Sequence, residues 1–154
     1  MRLAPHLTYL IFSLFSFIIM AQTPSQNIEN YQSNTLDLAA NQLQNQEYKS
    51  AIQTLDEVLK RAQNKGDKNK QYSGYSILGN VYLSLQDTTR SRDVFEKALV
   101  IAQELKNDTL LASSYNDLGK LYASSEAYQE KAIAYLQKNI QLIEKFDGSD
   151  KSLG

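Results

Sequence analysis

The stretch YSILGNVYLSLQD occupies residues 75–87, and YNDLGKLYASSEA occupies residues 115–127. Both begin Y-x-x-L-G-x-x-Y, and their glycines, Gly79 and Gly119, lie 40 residues apart. On a helix, these Tyr, Leu, Gly and Tyr positions fall on one narrow stripe. Glycine costs a helix about 1 kcal/mol relative to alanine, so its place between two large rings needs a compensating gain. Close approach of the next antiparallel helix supplies that gain.

Each of the two stripes has a corresponding group of residues, on the following helix, that is expected to pack on it. The next helix supplies Phe95 and Ala98 after the first glycine, and Ala132 and Leu136 after the second. The complete set of expected packing residues is Tyr75, Leu78, Gly79, Tyr82, Phe95, Ala98, Tyr115, Leu118, Gly119, Tyr122, Ala132 and Leu136.

Apolar residues recur at helical spacing from residue 35 onward, and no segment shows the alternation of a half-buried strand. No proline occurs in this part of the chain. Asp67, Asp87 and Asp108 stand where helix N-caps are needed. Polar clusters at 65–70, 86–89, 106–108 and 146–150 separate the expected helices, which span about 35–45, 48–63, 68–85, 89–105, 108–124 and 126–146.

A helix pair that recurs about every 40 residues is typical of a helical solenoid. The sequence resembles the tetratricopeptide repeat, whose first helix carries a large residue, Leu-Gly and Tyr. The resemblance covers about residues 35–146, in repeats at about 35–63, 68–105 and 108–146. It implies an all-α, right-handed α-solenoid of about three antiparallel helix pairs, of the long-period variety found in bacterial signalling proteins. The first repeat lacks the large anchors, since it has Thr35, Leu38, Ala39 and Gln42 at the matching positions.

The first helix of each repeat also has a second face, which is more polar than the glycine stripe. Members of the family bind extended peptides or partner helices on this side, and the resemblance implies the same for this chain. Amide side chains can both donate to and accept from a peptide backbone, and Lys120 can meet a carboxylate. The candidate partner-binding residues are Ser76, Asn80, Leu83, Asn116 and Lys120; the alternative is that they are ordinary solvated helix positions.

The first 21 residues have the anatomy of a secretory signal peptide. Arg2 precedes an apolar run over 7–20, and Ala21 offers a cleavage point before Gln22. Residues 22–34 then form an expected flexible lead-in. The sequence predicts export across the inner membrane, with the periplasm as destination; the alternative is a chain anchored by an uncleaved signal.

The expected mature chain lacks several chemically useful residue types. His6, Met1 and Met20 all lie in the signal, so the rest contains no His, Cys, Met or Trp. Histidine bases, thiol nucleophiles and the usual zinc sites are therefore excluded. We expect a non-enzyme with no cofactor and no metal. Without Arg2 the charge is −2, which gives no electrostatic case for binding nucleic acid or a membrane.

Residues 147–154 are expected to be a tail or the start of a truncated further repeat. The helix over 126–146 would then lack the neighbour that covers its apolar face, which consists of Ile133, Leu136, Ile140 and Ile143. Self-association through this helix is one way to cover them.

The sequence therefore predicts a non-enzymatic module that binds a protein or peptide outside the cytoplasm. The alternative is the exported sensory portion of a truncated membrane-bound signalling protein, such as a sensor kinase.

Overall fold

A computed structural model describes residues 35–151 of the chain, with side chains for residues 35–145. Within this range the backbone is helical, and no strand occurs. The first helix, α1, is described over 35–44. The others are α2 (Tyr48–Lys65), α3 (Lys68–Ser84), α4 (Thr88–Glu104), α5 (Asp108–Ala123) and α6 (Gln129–Lys151), with a 3-10 turn at Glu126–Tyr128 before α6.

The turns between helices recur at a fixed interval. Gln46, Gly66, Gln86 and Lys106 each adopt a left-handed backbone, with φ of 62°, 67°, 60° and 49°. These residues are 20 positions apart and each follows a helix, where a left-handed residue lets main-chain amides satisfy the last carbonyls. The turns that bound α2, α3 and α4 are therefore equally spaced, so these three helices belong to equal helix-and-turn units.

The N-caps follow the same interval, with one correction to the sequence prediction. Asp67 accepts from the Lys70 amide at 3.0 Å, and Asp87 accepts from the Arg90 amide at 2.9 Å. The third cap is Asn107, whose Oδ1 accepts from the Leu110 amide at 3.1 Å. The prediction of Asp108 was wrong by one position, because both side chains can cap and only the turn geometry decides between them.

Each helix packs against the next one along the chain, and α3 also contacts α5. Three clusters of buried side chains run through this stack. The first joins α1 to α4 around Leu55 and Val81, the second joins α4 to α6 around Phe95 and Leu118, and the third joins α3, α4 and α5 around Tyr72 and Ala102. The predicted all-α solenoid-like fold of adjacent helix pairs is confirmed.

One further expectation about a helix end was wrong. The cluster at 146–150 is not a loop, because the backbone of α6 continues through it to Lys151; one glycine costs about 1 kcal/mol and does not by itself end a helix. Leu85 is 42% exposed. It lies just beyond Ser84, where α3 ends, and so leaves the packed stripe.

Candidate functional site

The two pattern glycines lie at close helix contacts. A Cβ built on Gly79 would overlap the ring of Phe95, and one built on Gly119 would lie 2.7 Å from Cδ2 of Leu136. Of the twelve expected packing residues, eight are buried and four, Tyr75, Tyr82, Tyr115 and Leu136, are half-buried. These contacts fix how α3 and α5 are rotated, and thereby decide which of their side chains remain accessible.

A third close contact was not anticipated from the sequence. A Cβ on Gly74 would lie 2.8 Å from Cδ2 of Leu59 in α2. The matching residue 40 positions later is Ser114, which is 2% exposed. The sequence could have indicated this contact, because a small residue at both positions lets the helix approach the preceding repeat closely.

The accessible strip of α3 and α5 is built around a hydrogen bond between repeats. The Ser76 hydroxyl donates to Oδ2 of Asp117 at 3.1 Å. Asp117 stands 40 residues after Ile77, a residue that packs against the first core cluster. In the sequence, the available sign of this interaction was a carboxylate at the position where the preceding repeat has an apolar contact residue.

The environment of Asp117 changes its acidity. Burial raises the pKa of this carboxyl group, and the Ser76 hydrogen bond and the charge of Lys120 oppose that rise. Lys120, an exposed candidate residue, therefore lies within electrostatic range of an acid of its own helix. The carboxylate of Asp117 therefore partly neutralises the charge of Lys120 in the unbound chain.

The remaining candidate residues differ in burial and in hydrogen bonding within the chain. The Asn80 amide Nδ2 donates to the Ser76 carbonyl at 2.9 Å, which orients its Oδ1 as an acceptor. Asn116 is half-buried on α5. Leu83 is half-buried and packs against the second core cluster, so it offers a partner less surface than the polar residues do. The strip of Ser76, Asn80, Asn116 and Lys120 is called the helix-A strip below.

The last helix carries an exposed apolar face. Ile133, Ile140 and Ile143 are 55%, 52% and 46% exposed, whereas Leu136 is half-buried against Gly119. No helix within residues 35–151 is both long enough and apolar enough to cross a lipid bilayer.

Equal helix-and-turn units, each packed on the next through small residues, define an α-helical repeat protein. The tetratricopeptide repeat model matches residues 71–138. Tetratricopeptide repeat protein 29 of Macaca fascicularis is 29% identical to this chain over 105 residues, which is 68% of the chain. These similarities support a tetratricopeptide repeat protein, with the matched repeats at residues 71–138. The similarity covers 22% of the length of that relative. That the repeats belong to the long-period variety stays a prediction.

Proposed function

We propose that this chain is a non-catalytic module that binds an extended segment of another protein along the helix-A strip. Tetratricopeptide repeats are protein-interaction scaffolds, which supports a protein partner. The observation that carries the choice of surface is the contact between α3 and α5, whose polar side chains share one strip through the Ser76–Asp117 hydrogen bond.

The chemistry of the strip suits a peptide backbone. Asn80 presents an acceptor oxygen, because its amide nitrogen is held by the Ser76 carbonyl. Asn116 supplies both a donor and an acceptor. Lys120 adds a cation beside Asp117, so the strip offers both signs of charge, and a partner with a mixed sequence fits it better than a strongly acidic or basic one.

Affinity capture from an extract of the source cells tests this surface. The bait is the chain itself, compared with a triple variant that replaces Asn80, Asn116 and Lys120 by alanine. A matched control variant removes two amides and one cation elsewhere, by alanine substitution of three exposed residues of α2, Gln53, Lys60 and Asn64. We expect the control to retain the captured proteins and the strip variant to lose them. Equal recovery by all three baits would place the site elsewhere.

We further propose that the chain is exported, with residues 1–21 as the signal. The support is the sequence pattern alone, and this segment lies outside the described residues. Cell fractionation followed by N-terminal sequencing tests it, with a mature chain that begins at Gln22 as the expected result. An intact N-terminus in the membrane fraction would favour the uncleaved anchor, and an intact chain in the cytoplasm would contradict export.

The sensory-portion alternative and the self-association stay predictions. An in-frame continuation of the gene into a membrane span would favour the sensory portion. For self-association, static light scattering of the purified chain is the test, with Ile140→Ser as the variant because Ile140 is 52% exposed. Self-association through α6 predicts a dimer or larger species that this variant weakens, and a monomeric wild type would contradict it.

A further inference from the structure

A small cavity lies where the start of α4 meets the end of α5, away from the helix-A strip. Its volume is about 160 Å³. One wall comes from the first turn and a half of α4, and the other from the C-terminal end of α5 and the 3-10 turn. The lining residues are Thr88, Thr89, Arg92, Leu121, Tyr122, Ser124, Ser125 and Tyr128.

The aromatic wall of this cavity is held by neighbouring rings. Tyr122 is 7% exposed, and its ring stacks on Tyr135 at 5.7 Å between centroids, with planes 4° apart. Tyr128 meets Tyr122 edge-on at 5.6 Å. Such pairs stabilise by about 0.5–1.5 kcal/mol beyond area burial, so the cavity keeps its shape without a ligand.

Positive charge gathers at the cavity. Arg92 lines it, and the Lys131 ammonium lies 5.5 Å from the ring centroids of both Tyr122 and Tyr128. No aspartate or glutamate is among the described residues that line it. Two acids of α4 oppose this charge. Asp93 pairs with Arg92 at 3.3 Å and is the main cause that raises the pKa of Arg92. Burial, and after it the charge of Glu96, raises the pKa of Tyr122.

The Arg92 guanidinium keeps donors for a ligand. Its pair with Asp93 lies at the surface, with side chains 41% and 55% exposed, and such pairs are weak. A guanidinium has five N–H donors, and the contact with Asp93 involves one of its nitrogens. The hydroxyls of Thr88, Thr89 and Ser125 add further donors around the same space.

We infer that this cavity binds one anionic side chain of a partner protein, with its oxygens held by Arg92 and the surrounding hydroxyls. Drug-sized ligands occupy about 300–1,000 Å³, so a cavity of about 160 Å³ suits a single side chain. A carboxylate and a phosphate present the same anionic oxygens, and both are sources to be separated by experiment. As a subsite for a protein partner, it rests on the proposed function.

The test is a titration of the ¹⁵N-labelled chain followed by NMR. The probes are N-acetylglutamate N-methylamide, its neutral glutamine counterpart, and the matching phosphoserine derivative. We expect the glutamate probe to shift the amide signals of Thr88, Thr89 and Ser125 saturably, and the glutamine probe to leave them in place. A response to the phosphoserine probe alone would identify phosphate as the anion.

Variants show whether the guanidinium binds the probe. Arg92→Gln should weaken binding about tenfold or more, because a charge-assisted hydrogen bond is lost. Arg90→Gln is the matched control: Arg90 lies outside the lining, its side chain is 61% exposed, and it pairs with Asp87. Thr89→Val provides a second variant that removes one hydroxyl at nearly constant shape, and it should weaken binding to a smaller degree.

Three results would overturn the inference: a shift of the same size with glutamate and with glutamine, no shift with any probe, or unchanged affinity for the anionic probe in Arg92→Gln. The small probes do not depend on the helix-A strip. Binding of the anionic probe together with equal protein capture by the strip variant would refute the proposed function alone, and the reverse pattern would refute the cavity alone.

Discussion

The hydroxyl of Ser91, in α4, donates a hydrogen bond to the main-chain carbonyl of Gly79, in α3, at 2.9 Å. Ser91 is fully buried, so the short distance between the two helices allows a side chain of one to reach the backbone of the other. In the third repeat Ala132 stands four residues before Leu136, as Ser91 stands four residues before Phe95; it is 4% exposed and carries no hydroxyl. The two helix pairs therefore use the same close approach with different chemistry.

Ser91→Ala should lower the free energy of unfolding by about 1 kcal/mol, the usual net value of a hydrogen bond between neutral groups. Urea unfolding followed by circular dichroism measures the change. Ser84→Ala, at an exposed position in the last turn of α3, is the control and should leave stability nearly unchanged. Equal effects of both substitutions would mean that the Ser91 bond contributes nothing.

The two glycine contacts should differ in their tolerance of a methyl group. Gly79→Ala forces Cβ against the Phe95 ring, which is rigid and only 1% exposed. Overpacking costs about 1–3 kcal/mol, and the gain in helix propensity of about 1 kcal/mol offsets part of it. At Gly119 the same methyl meets the branched end of Leu136, which is half-buried and can rotate.

We therefore expect Gly79→Ala to lower the thermal midpoint more than Gly119→Ala does. Differential scanning calorimetry of both variants and the wild type makes the comparison. A larger loss at Gly119, or no loss at Gly79, would show that Phe95 moves aside freely.

The position of the third N-cap can be tested by neighbouring substitutions. Asn107→Ala removes the acceptor for the Leu110 amide and should cost about 1 kcal/mol. Asp108→Ala removes an exposed ion pair with Lys145, formed at 2.8 Å between α5 and α6, and should cost less because surface pairs contribute little. Urea unfolding distinguishes the two, and a larger loss in Asp108→Ala would restore Asp108 as the cap.

Asp117 should make stability depend on pH in an unusual direction. Burial raises the pKa of its carboxyl group in the folded chain, so the folded state binds the proton more tightly than the unfolded state. This group therefore favours folding more as the pH falls through its folded pKa, and favours it less once both states are ionised.

Asp117→Asn retains an acceptor for Ser76 and removes the charge. We expect the variant to gain stability relative to the wild type at about pH 7, and to lose that advantage near pH 3, where an aspartate is protonated in either state. Urea unfolding at the two pH values measures the difference. An advantage that is the same at both would show that ionisation of Asp117 does not affect folding.

Most helix positions could be predicted from the sequence because they depend on local chemistry. Apolar residues at helical spacing marked α2 to α5 within a few residues, and the aspartates marked two of the three caps. The end of α6 was mispredicted, because a cluster such as 146–150 resembles a loop by composition and still continues as a helix.

Less of the candidate site could be predicted from the sequence. The pattern predicted Asn80, Asn116 and Lys120 as binding residues on the face turned away from the glycine stripe. In the structure Lys120 is exposed and the two asparagines are half-buried, and their role in binding stays a prediction. The pattern did not identify the Ser76–Asp117 bond, whose partners are 41 residues apart. It also missed the cavity at Arg92, since that cavity exists only where the ends of α4 and α5 meet.

The sequence by itself determined that this protein is a chain of paired helices. Helix periodicity and N-caps depend on residues a few positions apart, so they can be recognised directly in the sequence. The tertiary structure decided which polar groups meet: Ser76 with Asp117, and Ser91 with the Gly79 carbonyl. It also decided that Arg92, Thr88 and Ser125 line one cavity. Those meetings depend on the angle and distance between helices, which are set by the sum of many side-chain contacts in the core.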